Sequence, residues 1–130
     1  MLVVSDRVHF LKVCAELVGE RSICVTGEVS HEDRDVYLNE IRSGKKDILF
    51  GTQAIFSEGI SVNNLSCLIL GTPINNEPLL TQLIGRVIRK EEGKQEPVIL
   101  DIHLKGNTAR KQASNRMGHY IKQGYDIKQL

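Results

Sequence analysis

The sequence predicts an α/β domain with a mostly parallel β-sheet that is flanked by helices. Short apolar runs alternate along the chain with longer segments of helical periodicity, a pattern typical of parallel sheets. The run Leu68-Ile69-Leu70 is entirely apolar, as expected for a strand that is buried on both faces. Small or hydroxylated residues follow several of the runs, and in such sheets ligands bind beyond the carboxyl ends of the strands. The 130 residues suffice for one domain.

The predicted elements follow one another in a simple alternating order. The five predicted strands lie at residues 2–4, 23–25, 48–50, 68–70 and 98–102. The predicted helices lie at residues 5–18, at 30–43, from Pro78 onwards, and at about 108–123. No repeat, low-complexity segment or internal linker interrupts this order.

Capping residues bound the first two predicted helices. Ser5 is expected to cap the first helix, which Gly19 ends. Ser30, followed by Asp33, is a start similar to a capping box for the second helix, and Gly44 is its expected stop. The residues predicted to be buried are Leu11, Cys14, Ala15 and Val18 in the first helix and Val36, Tyr37 and Ile41 in the second.

The third and last helices show apolar stripes at helical spacing. Pro78 suits the first turn of the third helix, where a missing backbone N–H costs nothing. Its apolar stripe comprises Leu79, Leu80, Leu83, Ile84 and Val87. The inward residues of the last helix are predicted to be Ala109, Ala113, Met117, Tyr120 and Ile121.

Composition excludes several classes of function. The net charge is +1, so any contact with nucleic acid must be local, and the absence of Trp argues against base stacking as the main binding device. The three cysteines lie in apolar runs without CxxC spacing, which favours reduced thiols over disulfides or a zinc site. No apolar run is as long as a membrane span and no signal peptide is visible, so we expect a cytoplasmic protein. The chain opens directly on a strand, and we expect it to continue a larger protein.

The segment from Gln82 to Arg89 is the most informative part of the chain. If it is helical, Gln82, Arg86 and Arg89 share one face because they are spaced i, i+4 and i+7. Arginine grips phosphate oxygens bidentately through its planar donors. For two arginines alone, an ordinary solvated helix face is the better interpretation, and the phosphate hypothesis depends on the rest of the chain.

Four predicted turns lie where parallel strands end. They are residues 5–7, Thr26-Gly27, Gly51-Thr52 and residues 71–78, and each has small residues that let backbone N–H groups approach an anion. For any single turn, a plain capping or turning role is the better interpretation. Several such turns on one edge of a sheet favour a binding site.

Much of the chemistry of a complete enzyme is missing from the sequence. There is no GxxxxGK[ST] loop to hold phosphates and no acidic pair after a strand to hold magnesium, and Asp101 at a strand end is expected to be structural. No nucleophilic triad can be assembled. Arginines without a nucleotide loop suggest an arginine finger supplied across an interface, which can raise the rate of phosphoryl transfer by about 10³–10⁵.

Taken together, these segments resemble the second RecA-like domain of superfamily 2 helicases over residues 2–127. Residues 2–17 resemble motif IV, and Thr26-Gly27 with Arg34 resembles the strand-end glycine and downstream arginine of that family. Residues 47–61 resemble motif V, and Gln82–Arg89 resembles motif VI, QxxGRxxR. The resemblance implies a three-layer RecA-like domain over residues 1–130, with the P-loop domain absent from the chain.

The resemblance also implies roles for individual residues. Arg89 corresponds to the finger that reaches the γ-phosphate, and Arg86 and Gln82 to its catalytic companions. The positions that correspond to nucleotide binding are Glu58, Gly59 and Gly85. The positions that correspond to nucleic-acid binding are Ser5, Arg7, Thr26, Gly27, Gly51 and Thr52.

The resemblance implies an ATP-dependent helicase that is built from two RecA-like domains. ATP would be shared with an N-terminal RecA-like domain that holds Mg²⁺, and the nucleic acid is expected to be DNA rather than RNA. The tail from Asp101 through Arg116 to Asp126 resembles the phage recombination and excision-repair branch. The isolated chain is expected to be inactive.

Two other classes of function remain open. One is a non-catalytic RecA-like binding or regulatory module. The other is a nucleotide-binding enzyme on a dinucleotide fold, against which the missing GxGxxG and ribose-binding acid count.

Overall fold

The computed structural model describes residues 1–57, 66–87 and 97–128, and of residues 56, 57, 86 and 87 it describes the backbone alone. Strands and helices alternate through these ranges. The strands are β1 Leu2–Val4, β2 Ser22–Val25, β3 Ile48–Gly51, β4 Cys67–Leu70 and β5 Val98–Asp101. The helices are α1 Val8–Val18, α2 His31–Arg42, α3 Gln53–Ser57, α4 Glu77–Val87 and α5 Asn107–Lys122.

The strands form one parallel sheet in the order β2-β3-β1-β4-β5. A single row of register partners runs across its carboxyl edge, through Val25, Gly51, Val4, Leu70 and Asp101. The five strands therefore end at the same level, and the turns that follow them lie side by side. This confirms the predicted parallel α/β sheet.

The two faces of the sheet are covered unequally. The larger core lies on the face packed by α2, α3, α4 and α5, with Leu38, Ile55, Leu80 and Tyr120 among its buried residues. The opposite face holds Val3, Phe50 and α1, which contributes the fully buried Leu11. Strand-helix-strand crossovers are right-handed, so the direction of a connection across the sheet decides which face its helix covers. The connection from β1 to β2 runs in one direction and places α1 on one face. The connections after β2 run in the opposite direction and place their helices on the opposite face.

The first helix begins later than predicted. Arg7, not Ser5, is the N-cap of α1, and it makes no side-chain cap hydrogen bond. Ser5 is instead fully buried beyond β1, where its Oγ accepts a hydrogen bond from Arg7 N at 3.1 Å. Gly19 ends the helix with φ 84°, as predicted. The prediction that Val18 is buried was wrong, since 42% of it is exposed at the last turn.

The second helix begins as predicted but buries a different face. Ser30 Oγ accepts a hydrogen bond from Asp33 N at 3.2 Å, which confirms the cap, and Gly44 follows the helix with φ 81°. Its buried residues are Arg34, Leu38 and Ile41. Tyr37 is partly buried. Val36 is 55% exposed, so its predicted burial was wrong, because it lies roughly opposite Arg34 around the helix.

The apolar stripe of α4 is confirmed where its side chains are described. Leu80, Leu83 and Ile84 are buried and Leu79 packs against them, while the side chain of Val87 lies outside the described set. Pro78 lies in the first turn, as predicted.

The last helix packs differently from its predicted pattern. Ala113 and Tyr120 of α5 are buried and Met117 packs against the core, as predicted. Ile121, however, is 66% exposed, and the polar residues Arg116 and His119 are buried instead. The short helix α3 was not predicted.

Several chemical features of the described residues bear on function. The free thiols Cys14, Cys24 and Cys67 are partly buried, and burial raises the pKa of Cys24. No group of three or more His, Cys, Asp or Glu in the described ranges could hold a metal ion. Across the same ranges, no helix has the length and apolar character needed to cross a membrane.

Candidate functional site

Four turns stand side by side along the carboxyl edge of the sheet. Thr26, Thr52, Ser5 and Gly71 directly follow the register row of β2, β3, β1 and β4 in that spatial order. Since neighbouring strands lie about 4.8 Å apart, the four positions span roughly 15 Å. The structure therefore brings together the predicted nucleic-acid-binding residues of three separate turns.

Backbone hydrogen bonds tie the central turns to one another. Ser5 N donates to Gly51 O at 3.2 Å, and Gly71 N donates to Val4 O at 2.8 Å. A Cβ on Gly71 would lie 3.2 Å from both Val4 O and the ring of Phe10, so a larger residue would require these neighbours to shift. The turn after β1 is thus held from both sides.

A group of polar side chains, here called the Ser5 cluster, joins two of these turns. It consists of Ser5, Asp6 and Thr72. Thr72 Oγ1 lies 3.0 Å from Asp6 Oδ1 and 3.3 Å from Ser5 Oγ, and it accepts from Asp6 N at 3.3 Å. Since a hydroxyl has one proton, Thr72 donates to the carboxylate and Ser5 donates to Thr72. Asp6 and the adjacent Arg7 are exposed at this edge.

The turn after β2 uses its threonine internally and leaves its glycine open. Thr26 is buried, its Oγ1 accepts from Glu28 N at 3.4 Å, and its carbonyl accepts from Val29 N at 3.1 Å. Gly27 is exposed, with nothing within 4 Å of a Cβ placed on it. Its backbone is therefore accessible to a ligand.

Two further features flank these turns. Lys12 of α1 donates to Glu28 Oε2 at 2.7 Å, and this hydrogen bond lowers the pKa of Glu28 and raises that of Lys12. Thr52 is buried and its carbonyl accepts from Ile55 N at 3.2 Å, which begins α3. Thr26 and Thr52 are therefore built into the turns, whereas Gly27 and Arg7 face solvent.

Helix α4, which contains residues 82–87 of the QxxGRxxR segment, begins at the same edge. Asn76 caps α4, since its Oδ1 accepts from Leu79 N at 3.1 Å and its carbonyl accepts from Leu80 N at 2.9 Å. Gln82 is exposed, away from the buried stripe, as predicted, and Gly85 is exposed as well. Among the described residues, no atom lies within 4 Å of a Cβ placed on Gly85.

Other predicted site residues are not described. Glu58, Gly59 and Arg89 lie outside the described residues, and the side chain of Arg86 does as well, although its backbone continues α4 one turn after Gln82. Their roles remain predictions.

A second polar group, here called the Asp101 network, connects the end of β5 to α5 and to the loop before α4. It consists of Asp101, Arg116, Asn75 and Tyr120. Arg116 binds Asp101 bidentately, with Nε–Oδ2 2.8 Å and Nη2–Oδ1 2.9 Å, and its Nη1 donates to Asn75 Oδ1 at 2.7 Å. Tyr120 Oη donates to Asp101 Oδ2 at 2.7 Å, and burial together with this hydrogen bond raises the pKa of Tyr120. The side chains of Arg116 and Asp101 are 3% and 7% exposed.

A third contact joins α5 to the first turns of α4. His119 Nε2 lies 3.0 Å from Thr81 Oγ1, which donates to Glu77 O at 2.9 Å, and His119 Nδ1 lies 3.9 Å from Glu77 Oε2. Since the threonine proton points at Glu77 O, the imidazole donates through Nε2. A cavity of about 620 Å³, lined by Ile74, Asn75, Glu77, Arg116 and Lys122 among others, opens between these elements.

The contacts of the Asp101 network were not predicted from the sequence. Asp101 was expected to be structural, which agrees with the structure, but it was not connected to Arg116 or Asn75. The available signal was the spacing of Arg116 and Tyr120, four residues apart on the side of α5 that also carries Ala113. A buried arginine in that position needs an acidic partner, and a strand-end aspartate is a natural one.

Comparison with known proteins now assigns the chain. The sequence model of the family described as "Helicase conserved C-terminal domain" matches residues 1–91, which include all of α4. This chain belongs to that helicase family. The match covers the four turns and the QxxGRxxR segment, so the family assignment rests on the parts of the chain that form the candidate site.

Three relatives of the chain are proteins of viruses that are named as helicases. The chain is 42% identical over 128 residues to "Probable helicase D10" of Escherichia phage T5, covering 96% of this chain and 28% of that protein. It is 34% identical over 87 residues to "Putative ATP-dependent RNA helicase L396" of Acanthamoeba polyphaga mimivirus, covering 66% and 16%. It is 30% identical over 104 residues to "ATP-dependent DNA helicase uvsW" of Enterobacteria phage T4, covering 80% and 20%. The chain thus spans less than a third of each of these relatives.

A solved structure supports the fold. A DEAD box protein from the hyperthermophile Methanococcus jannaschii superposes with a TM-score of 0.72 at 25% identity, covering 99% of this chain and 34% of that one. The predicted RecA-like domain of a superfamily 2 helicase is therefore confirmed.

Proposed function

We propose that this domain is the C-terminal half of an ATP-dependent DNA helicase or translocase, and that residues 1–130 constitute that half. The observation that carries the proposal is the placement of α4, which begins at the same sheet edge as the four turns and continues into the QxxGRxxR segment. A domain built in this way can contact a nucleotide through α4 and a nucleic-acid strand through the turns.

The nucleotide would be ATP, bound between this domain and an N-terminal RecA-like domain. Arg89 would serve as the finger at the γ-phosphate, with Arg86 and Gln82 beside it. Glu58, Gly59 and Gly85 would border the nucleotide. The exposed face that bears Gln82 and Gly85 supports this arrangement, since a glycine on an exposed helix face would let a ligand or partner approach the backbone. The partner domain would hold Mg²⁺ and the triphosphate.

The nucleic acid would lie along the four turns and be held through its backbone. The residues proposed to form this nucleic-acid-binding surface are Ser5, Arg7, Thr26, Gly27, Gly51 and Thr52. Exposed Gly27 and Arg7 would make the direct contacts, and the buried threonines would hold the turns in shape. Contacts of this kind position a strand without reading its sequence, and they suit a net charge of +1.

We further propose DNA as the substrate, in repair or recombination. The name of the phage T4 relative, a DNA helicase, supports DNA, and the name of the mimivirus relative, an RNA helicase, supports the alternative. Binding of this chain to a single-stranded 12-mer of DNA or RNA, measured by fluorescence anisotropy at low salt, distinguishes them. Stronger binding to RNA than to DNA would overturn the choice of DNA.

The arginine finger is tested in the longest natural polypeptide that carries this domain. Arg89→Ala should lower the rate of ATP hydrolysis by about 10³–10⁵-fold while leaving nucleic-acid affinity unchanged. The matched control is Lys90→Ala, which removes the neighbouring cation and should leave turnover within about threefold. Equal turnover in Arg89→Ala and the parent would instead support a non-catalytic binding or regulatory module.

The isolated chain offers a second test. The 130 residues should show no ATP hydrolysis above background, because no GxxxxGK[ST] loop is present. Robust turnover by the purified chain would contradict the proposed division of labour.

A further inference from the structure

The loop between β4 and α4 is anchored at both of its ends. At its start, Gly71 N donates to Val4 O at 2.8 Å and Thr72 bonds to Asp6. At its end, Asn75 accepts from Arg116 Nη1 at 2.7 Å. The second anchor is Arg116 of α5, which lies 41 residues after Asn75 in the chain.

Arg116 offers Asn75 a fixed donor. Two of its nitrogens are already committed to Asp101, and Asp101 is held in turn by Tyr120. The guanidinium is planar and buried, so a bidentate pair on one edge sets the direction of the remaining Nη1 donor. Asn75 is exposed, but its side-chain oxygen Oδ1 is held by this donor at a fixed position relative to β5.

Asn75 lies directly before the start of α4. The next residue, Asn76, is the N-cap, and both its side chain and its carbonyl accept hydrogen bonds from the first turn. One turn later, Thr81 meets His119 of α5 at 3.0 Å. Both contacts from α5 therefore act on the end of α4 that precedes Gln82 and Gly85.

We propose that Arg116 and Asn75 are positioning residues, which orient α4 so that its exposed face meets the nucleotide. This inference rests on the proposed function. A packed helix moves as a rigid body, so a shift at its cap is carried to Gln82 and onward along the helix. A displacement of about 1 Å at a catalytic group can lower turnover by about 10²-fold.

The first measurement is made on the 130-residue chain and does not depend on helicase activity. Asn75→Ala removes the contact at an exposed residue and leaves the Arg116–Asp101 pair in place. Hydrogen exchange at the amides of Leu79 and Leu80 should become about tenfold faster, with the unfolding midpoint in urea unchanged. Asn115→Ala removes an exposed asparagine that lines the same cavity from α5 and should not change these rates.

A rescue variant separates hydrogen bonding from a change of size. Asn75→Asp keeps an oxygen acceptor for Arg116 and should restore slow exchange. Unchanged exchange in Asn75→Ala, or equally fast exchange in Asn75→Asp, would overturn the positioning role.

The second measurement uses the longest natural polypeptide that carries the domain. Asn75→Ala should lower kcat for ATP by about 10-fold to 100-fold and leave KM within about twofold, since the nucleotide is bound but its reacting group is misaligned. Unchanged kcat, in a protein that Arg89→Ala inactivates, would overturn the proposal. If Arg89→Ala has no effect, the proposed function fails, and hydrogen exchange alone then decides whether Asn75 and Arg116 fix α4.

Discussion

The Ser5 cluster and the Asp101 network lie on the same edge of the same sheet, yet they are built from opposite chemistry. The Ser5 cluster consists of two hydroxyls and an exposed carboxylate at the end of the central strand, joined at 3.0–3.3 Å. The Asp101 network is a buried ion pair at the end of the outer strand β5, joined at 2.7–2.9 Å. The comparison shows how one edge can serve two purposes.

The difference follows from the cost of burying charge. An arginine and an aspartate can be buried only when most of their donors and acceptors are satisfied, and once satisfied they leave little for a ligand. In the central turns, the exposed Arg7 and Gly27 stay available to a ligand, while the hydroxyl of the buried Ser5 joins two of the turns. We therefore assign stability and helix orientation to the Asp101 network and ligand contact to the central turns.

The largest effect is expected from breaking the ion pair. Arg116→Met should lower the free energy of unfolding by about 3–5 kcal/mol, because it leaves Asp101 buried without its charged partner. Urea unfolding of the chain followed by circular dichroism measures this. Arg110→Met, at an exposed position of the same helix, should change stability by less than about 0.5 kcal/mol. Similar losses in the two variants would show that the Asp101 network does not have the stabilising role assigned to it.

A smaller loss is expected at Tyr120. Tyr120→Phe removes a hydrogen bond to a buried carboxylate and should cost about 1.5–3 kcal/mol at neutral pH. The same urea experiment measures it, and Tyr125→Phe, at an exposed tyrosine, is the control. A cost equal to that of the control would mean that the hydroxyl contributes nothing to the network.

Alkaline pH tests the same hydroxyl. Because the pKa of Tyr120 is raised in the folded protein, its contribution to stability is fully present below the unfolded pKa of about 10 and is lost as pH rises above that value. The free energy of unfolding should therefore fall above pH 10 by up to about 1.4 kcal/mol per pH unit more in the parent chain than in Tyr120→Phe. Parallel curves for the two proteins would contradict the raised pKa.

In the central turns, the largest effect is steric. Gly71→Ala should cost about 1–3 kcal/mol, because its Cβ would press on the carbonyl of Val4 and the ring of Phe10. Gly27→Ala places the same methyl group in open space and should be close to neutral. Equal stability of the two variants would show that the turn after β4 is less closely packed than described.

The smallest effect is expected at Ser5. Ser5→Ala removes neutral hydrogen bonds to Arg7 N and Thr72 and should cost about 1 kcal/mol, compared with almost nothing for the exposed Ser114→Ala. Both are measured by urea unfolding. A loss as large as that of Arg116→Met would remove the distinction between the two groups.

Local sequence signals were sufficient for much of the fold. Four strands contain the whole run that predicted them, and β5 contains all of its predicted run except Ile102. Ser30 caps α2 and glycines end α1 and α2, because periodicity, caps and positive-φ glycines act over a few neighbouring residues. The exposed placement of Gln82 followed from helical spacing for the same reason. The resemblance to superfamily 2 helicases then allowed these elements to be predicted as a helicase domain.

Contacts between residues that are distant in the sequence could be identified only from the tertiary structure. The strand order sets Ser5 beside Gly51 and Thr72, and this pairing turned a predicted helix cap into a buried contact between turns. Burial of Arg116 in place of Ile121 depended on Asp101 and Asn75, which lie 15 and 41 residues away in the sequence. A charged side chain can be buried only where remote partners meet it, and no pattern within one helix specifies those partners.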